Sequence, residues 1–242
     1  MKKIDAQGLH YRILNKRLRG LIKEGGKRIL VKNVCGQRYI GAGLGEEVEI
    51  ILEGVPGNDL ASFMDGPRII VKGNAQDSVG NTMNRGEVII HGDAGDIVGY
   101  SMRGGKIFIR GNVGYRVGIH MKAYKNYFPV VVVGGGTKDF LGEYMAGGLL
   151  VVLGLNSSEI AGDFIGTGMH GGTMFLMGKV NSARLGKEVK IGQVTPQDMD
   201  LLKKHIGDFC ASFELDFDEV FQIPFTKIYP YSRRPYGTIY AY

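Results

Sequence analysis

Asp77, Asp96, Asp139 and Asp163 each lie six residues before a methionine, and Asn58 holds the same slot one repeat earlier. A row of carboxylates at fixed spacing could bind a hard cation through oxygen ligands or share acid–base work. It serves equally as a corner ladder, each side chain capping backbone N–H groups of its own turn. Carboxylates about 5 Å apart are tolerated when solvated, and we read the row as that ladder. The histidines are His10, His91, His120, His170 and His205. His120 precedes Met121 and His170 follows Met169, so this pair could ligate a metal only if both faced one way. Corner histidines are the simpler reading.

Gly166-Thr-Gly168-Met-His-Gly171 is a literal GxGxxG. A dinucleotide fingerprint needs a strand before it and a helix after it, so that the helix N-terminus meets the pyrophosphate. Here the following residues read as a strand, TMFLM. Lys138 follows Gly134-Gly-Gly-Thr, but no GxxxxGK[ST] surrounds it. Cys35 and Cys210 are too few for a disulfide framework or for a complete zinc or iron–sulfur site within one chain. No nucleophile, base and oxyanion donor converge on any motif, so the expected catalytic, cofactor and metal residues are none.

What positions these residues is a repeat. Met64, Met83, Met102, Met121, Met145 and Met169 are separated by 19, 19, 19, 24 and 24 residues. Gly80, Gly99, Gly118, Gly142 and Gly166 lie three residues before their Met, and further glycines close each unit at Gly73, Gly92, Gly111, Gly154 and Gly178. A fixed period of about 20–50 residues marks a solenoid, whose units bury their apolar faces only by stacking. Each unit ends in a five-residue strand (RIIVK, EVIIH, KIFIR, VVVVG, LLVVL, TMFLM), too short a period for helix and well suited to a parallel β-helix coil. Aligned repeats run from 55 to 178, with a degenerate turn before and a looser one after, about seven coils in all. The predicted fold is an all-β, single-stranded parallel β-helix with a 19-residue repeat and flanking N- and C-terminal helices. The Met ladder reads as core filling, and the glycines as corners needing positive φ or close backbone approach.

Alternation along the strands sorts their faces. Positions two and four before the closing glycine are uniformly apolar and must point inward, as in Val71/Ile69 and Ile109/Ile107. Positions one and five point outward and are charged in early coils (Lys72/Arg68, His91/Glu87, Arg110/Lys106) but apolar or small in later ones. The outward position three before the glycine stays apolar throughout: Ile51, Ile70, Ile89, Phe108, Val132, Val151 and Phe175. Such a ladder needs a cover, either the chain's own termini or another chain. Ile70, Ile89, Phe108, Val132, Val151 and Phe175 are therefore possible interface residues.

The predicted organisation is a helical segment over 1–35, the β-helix over 36–192, and a C-terminal helix with an aromatic extended arm over 193–242. Residues 5–24 place Leu9, Ile13, Leu14, Leu18, Leu21 and Ile22 at helical spacing before Gly25-Gly26. Thr195-Pro196-Gln197-Asp198 starts the second helix, which runs to about Phe213. Of 242 residues, 44% are hydrophobic and 39 are glycine, so a packed core is expected and disorder is not. The net charge of +6 is scattered, which argues against nucleic acid. No run is long and apolar enough for a membrane span, and the start lacks a signal-peptide core, so a cytoplasmic protein is expected.

The repeats around Gly142-Glu-Tyr-Met145-Ala-Gly-Gly148 and Gly99-Tyr-Ser-Met102-Arg-Gly-Gly105 resemble the GXGXG domain at the C-terminal end of the glutamate synthase large subunit, over about 36–192. Pro224-Phe-Thr-Lys-Ile-Tyr-Pro230 is similar to that family's tail. GQRYIGAGL (36–44), GNDLASFMDGP (57–67) and RRPYGTIYAY (233–242) look like the stand-alone form of the domain, a separate chain of a split enzyme. A related chain of formylmethanofuran dehydrogenase shares the repeat. The resemblance implies a right-handed β-helix without chemistry of its own. It also implies partners: a glutamine amidotransferase subunit and a synthase subunit that holds FMN and an iron–sulfur cluster, the present chain holding no cofactor. Self-association into a homo-oligomer is a further possibility.

Overall fold

The structure, a computed structural model, describes residues 1–221 and 224–231. Of the aromatic arm expected over 222–242, residues 222–223 and 232–242 lie outside the described residues. In chain order the elements are β1 (Lys2–Asp5), α1 (Tyr11–Lys23), β2 (Arg28–Cys35), β3 (Glu49–Val55), β4 (Asp65–Val71), β5 (Arg85–Ile90), β6 (Lys106–Ile109), β7 (Val130–Val133), β8 (Ala146–Val152), β9 (Gly171–Met177), β10 (Val189–Gly192), α2 (Pro196–Phe213), α3 (Phe217–Val220) and β11 (Phe225–Pro230). The eleven strands form one sheet in the order β1-β2-β3-β4-β5-β6-β7-β8-β9-β11-β10. β1 through β9 pair in parallel, one strand per coil, which makes the chain a parallel β-solenoid.

The register stacks like on like. Ile50, Ile69, Val88, Ile107, Val131, Leu150 and Met174 are successive Cα partners, and all are fully buried in the interior of the rod. Met64, Met83, Met102, Met121, Met145 and Met169 line the same interior, each at most 1% exposed. A third interior ladder, Leu60, Val79, Val98, Val117, Leu141 and Ile165, comes from the second apolar patch of each repeat. These residues are not in strands. They belong to corners in which left-handed residues recur at every second position, as at Ser78, Gly80 and Thr82. Gly80 has φ 70°, and a Cβ there would be driven into Cδ1 of Ile107 in a neighbouring coil. The corner therefore favours glycine: Ser78 and Thr82 hold the same left-handed φ, but at position 80 a Cβ would also have to displace the Ile107 side chain. Gly99, Gly118, Gly142 and Gly166 repeat that φ within a few degrees.

Two boundaries differ from the sequence expectation. Residues 1–35 are not simply helical: β1 and β2 extend the main sheet by two parallel strands, and α1 connects them. Leu14, Leu18 and Ile22 of α1 join the solenoid core, while Asn15 and Arg19 donate to the carbonyls of Arg38 and Ala42 in the first coil. The helix thus closes the open end of the stack, as a capping unit must. At the other end, Phe225–Pro230 is woven into the sheet as β11, antiparallel to both β9 and β10. A parallel stack that accepts antiparallel strands stops repeating, so this pairing terminates the solenoid.

Candidate functional site

The carboxylates named from the sequence hold coils together. Asp77 accepts from the backbone N–H of Asp96 (2.9 Å), Asp96 from that of Tyr115 (2.9 Å), and Asp139 from that of Asp163 (2.9 Å). The N–H groups belong to the following coil, not to the turn that carries the side chain. The correction has a simple cause: at a solenoid corner the next coil's backbone lies nearer than the residue's own. A second ladder, Asn74, Asp93 and Asn112, does the same for Asp93, Asn112 and Gly136 at 3.0, 2.7 and 2.9 Å. Sequence reasoning missed it, although an Asn or Asp nine residues before three successive methionines was there to be read.

The histidines are dispersed. His10 caps α1 by accepting from the Arg12 N–H. His170 pairs through Nδ1 with the Gly168 carbonyl at 3.1 Å. His120 stacks on Tyr144, with centroids 5.2 Å apart and planes 9° apart, and meets Tyr100 edge-on at 6.1 Å. His91 lies 3.0 Å from Lys72 Nζ and edge-on to Phe213, and burial, Lys72 and Arg110 push its pKa down. His205 is buried within α2, and burial, then Lys106 and Lys204, push its pKa down to about 4. Among the described residues no three His, Cys, Asp or Glu side chains gather where a metal ion could be held.

The GxGxxG stretch is a repeat corner leading into β9. Gly168 (φ 69°) leaves room for the Tyr144 ring, which would collide with any Cβ there. Its N–H is bonded to Glu188 at 3.0 Å rather than turned toward a phosphate. A cavity of about 580 Å³ opens beside it, lined in part by Asp163, Phe164, Arg184 and Glu188. Arg184 in its wall is already engaged, contacting Glu159 at 3.0 Å, Asp163 at 3.7 Å and the Ala161 carbonyl at 2.7 Å. Cys35 is exposed, and Cys210 is on the buried face of α2, where burial pushes its thiol pKa up. Two thiols in separate surroundings do not fit an iron–sulfur cluster, which needs four ligands.

The outward apolar ladder is where the structure decides most. Ile89, Phe108, Val132, Val151 and Phe175 lie at most 1% exposed in a second core, joined by Leu202, Ile206, Phe209 and Phe213 of α2. Phe108 and Phe209 meet edge-on at 6.1 Å. Ile70 packs at the margin of this core, half-buried. The six possible interface residues are therefore not a free surface. Their cover is the chain's own helix, because α2 carries an apolar stripe that matches the ladder. That helix is firmly started: Thr195 and Asp198 form a reciprocal capping box, and Pro196 opens the first turn. Asp198 also takes Lys227 Nζ of β11 at 2.7 Å. Burial opposes its ionisation, but the bonds from Lys227 and Thr195 outweigh it and hold the carboxyl below its usual range.

The remaining surface feature is a corner ridge of rings. Tyr100 meets the stacked pair His120 and Tyr144 edge-on, and Arg116, Phe140 and Phe164 form a second group, with Arg116 over Phe140 at 4.5 Å and Phe140 on Phe164 at 4.9 Å.

The family model of the GXGXG motif matches residues 26–230. The chain belongs to the GXGXG motif family. Within that family setting, it is 46% identical over 249 residues to the uncharacterized protein MJ1350 of Methanocaldococcus jannaschii, covering 98% of this chain and 95% of that protein. Its fold is also similar to a chain of the formyltransferase/hydrolase complex from Methylorubrum extorquens solved with methylofuran. That match has a TM-score of 0.63 and 18% identity, and covers 93% of this chain and 89% of that one. At such identity the likeness concerns the fold. Among the described residues no helix is long and apolar enough to cross a membrane.

Proposed function

We propose that this GXGXG chain is a non-catalytic scaffold subunit of a split glutamate synthase. It would brace a glutamine amidotransferase subunit against a synthase subunit that holds FMN and an iron–sulfur cluster, for glutamate formation from glutamine and 2-oxoglutarate in the cytoplasm. The observation that carries the scaffold reading is the employment of the polar side chains. The aspartates and asparagines that could have done chemistry accept backbone N–H groups of the next coil. Such wiring stiffens a rod, which is what a brace needs. The choice of glutamate synthase rests on the repeat and on the flanking phrases GQRYIGAGL and GNDLASFMDGP.

A second reading has its own support. The fold neighbour belongs to a formyltransferase/hydrolase complex, which favours a scaffold chain of a formylmethanofuran dehydrogenase-type redox complex. Affinity purification of the tagged chain from its native cell separates the two. The first reading expects stoichiometric amidotransferase and flavoprotein chains and glutamine-dependent glutamate formation by the complex. The second expects molybdopterin and amidohydrolase subunits instead. A chain recovered alone, at native expression and low salt, ends both.

A further inference from the structure

The corner of the third to fifth coils carries the exposed ring cluster together with cations that form no ion pair among the described residues, of which Lys125 lies 5.3 Å over the Tyr124 ring. Arg103 and Lys122 follow Met102 and Met121 in successive coils, and the Lys122 N–H bonds the Met102 carbonyl, which places the two side by side. The five residues by which this repeat exceeds 19 lie near Ala123–Phe128 and pack beside the corner. Tyr124 and Tyr127 close a tight hairpin, Tyr127 rests against Gly104, and Ala123 rests against Gly147. Tyr124 and Phe128 stay 47% and 46% exposed, and Tyr144 stays 44% exposed on the adjoining coil. Arg103, Lys122 and Lys125 are all exposed, and none forms an ion pair among the described residues. The carboxylate at this corner, Glu143, is buried and neutralised by Arg116.

Exposed tyrosine, histidine and arginine clustered on a rigid frame have the composition of a binding hot spot. We infer that the corner formed by Tyr100, Arg103, His120, Lys122, Tyr124 and Tyr144 docks an acidic segment of a partner polypeptide. The charge is complementary to carboxylates, since Arg116 neutralises Glu143 and Arg103, Lys122 and Lys125 stay exposed. A single-stranded nucleic acid, the other polyanion, needs free ring faces on which to stack bases. Here the face of Tyr144 is occupied by His120 and Gly168. Tyr144 therefore offers its hydroxyl and ring edge, which suit side chains and peptide groups.

The inference rests on the scaffold reading and is tested inside the native complex. Zero-length carbodiimide coupling joins lysines to touching carboxylates, and mass spectrometry should then find Lys122 or Lys125 bonded to Asp or Glu of a co-purifying subunit. Lys122→Glu, whose side chain makes no contact that the fold needs, should cut retention of that subunit tenfold or more with an unchanged melting temperature. Tyr144→Ser should do the same, and its circular dichroism shows whether the corner survives. If the variants retain every partner at wild-type ratio and no such cross-link forms, the docking surface is wrong although the scaffold stands. If the wild-type chain recovers no partner, both fail. Binding of a fluorescent oligouridylate that Lys122→Glu abolishes would overturn the polypeptide assignment in favour of nucleic acid.

Discussion

The outer face of the sheet has two halves built on one uninterrupted ladder. Across β2–β5 the register stacks Arg28, Glu49, Arg68 and Glu87, which bond in series at 2.6, 3.1 and 2.7 Å. From β7 the same line continues as Val130, Leu149 and Thr173. Lys106 of β6 stands at the border and reaches Asp208 of α2 at 2.6 Å. The middle outward residue is apolar in both halves, so it does not distinguish them. The flanking positions do. Arg28, Glu49, Arg68 and Glu87 keep contact with water, whereas Val130 and Leu149 are buried in the second core. α2 also covers Ile89 and Phe108, whose flanks are charged, so the flanks and the reach of the helix together set the boundary.

The contrast is broken most severely from the inside. Ile109→Asp encloses a carboxylate in the solenoid core and should cost about 5 kcal/mol or more, leaving no folded protein by circular dichroism. Phe108→Asp, one residue away and equally buried, should instead release α2 while the parallel sheet persists, seen as new proteolytic sites within 196–213 and a retained strand signal. Equal loss of strand signal in both would show that the two cores are not separable. Next in size, Phe209→Ala should cost about 3–5 kcal/mol and separate helix release from solenoid unfolding in a denaturant titration.

His205 tests the same helix through pH. Its folded pKa of about 4 lies below the ordinary value of about 6.5. The unfolded chain therefore takes up the proton first, and stability is full above about pH 6.5 and falls as pH drops toward 4. The expected loss is about 1–3 kcal/mol, read as a shifted urea midpoint. His205→Leu should flatten that portion of the profile. The smallest effect belongs to the charged half: Arg68→Ala, on half-exposed partners, should cost less than about 1 kcal/mol and still less at high salt.

Much of this was legible in the repeat. A period of 19 residues with a fixed Met, Gly and strand phase leaves each coil one way to stack, so the interior ladders of Ile69 to Met174 and Met64 to Met169 follow from counting. The Thr195 to Asp198 cap is equally local, since its bonds lie within four residues. The candidate site was less legible. That Asp96 serves the next coil's N–H, or that Tyr144 lies between His120 and Gly168, depends on which coil is adjacent and how closely corners approach. Spacing alone expresses neither.

What the chain itself determined is the repeating part, because a periodic sequence meets the same neighbour at every step and the outcome at one coil is the outcome at all. What only the tertiary structure decided is everything that happens once. α2 lies on the apolar half of the outer face, Phe225–Pro230 enters between β9 and β10, and the insertion near Ala123–Phe128 packs beside the cationic corner. Each joins residues far apart in sequence, and shape complementarity with no periodicity behind it selects the partner.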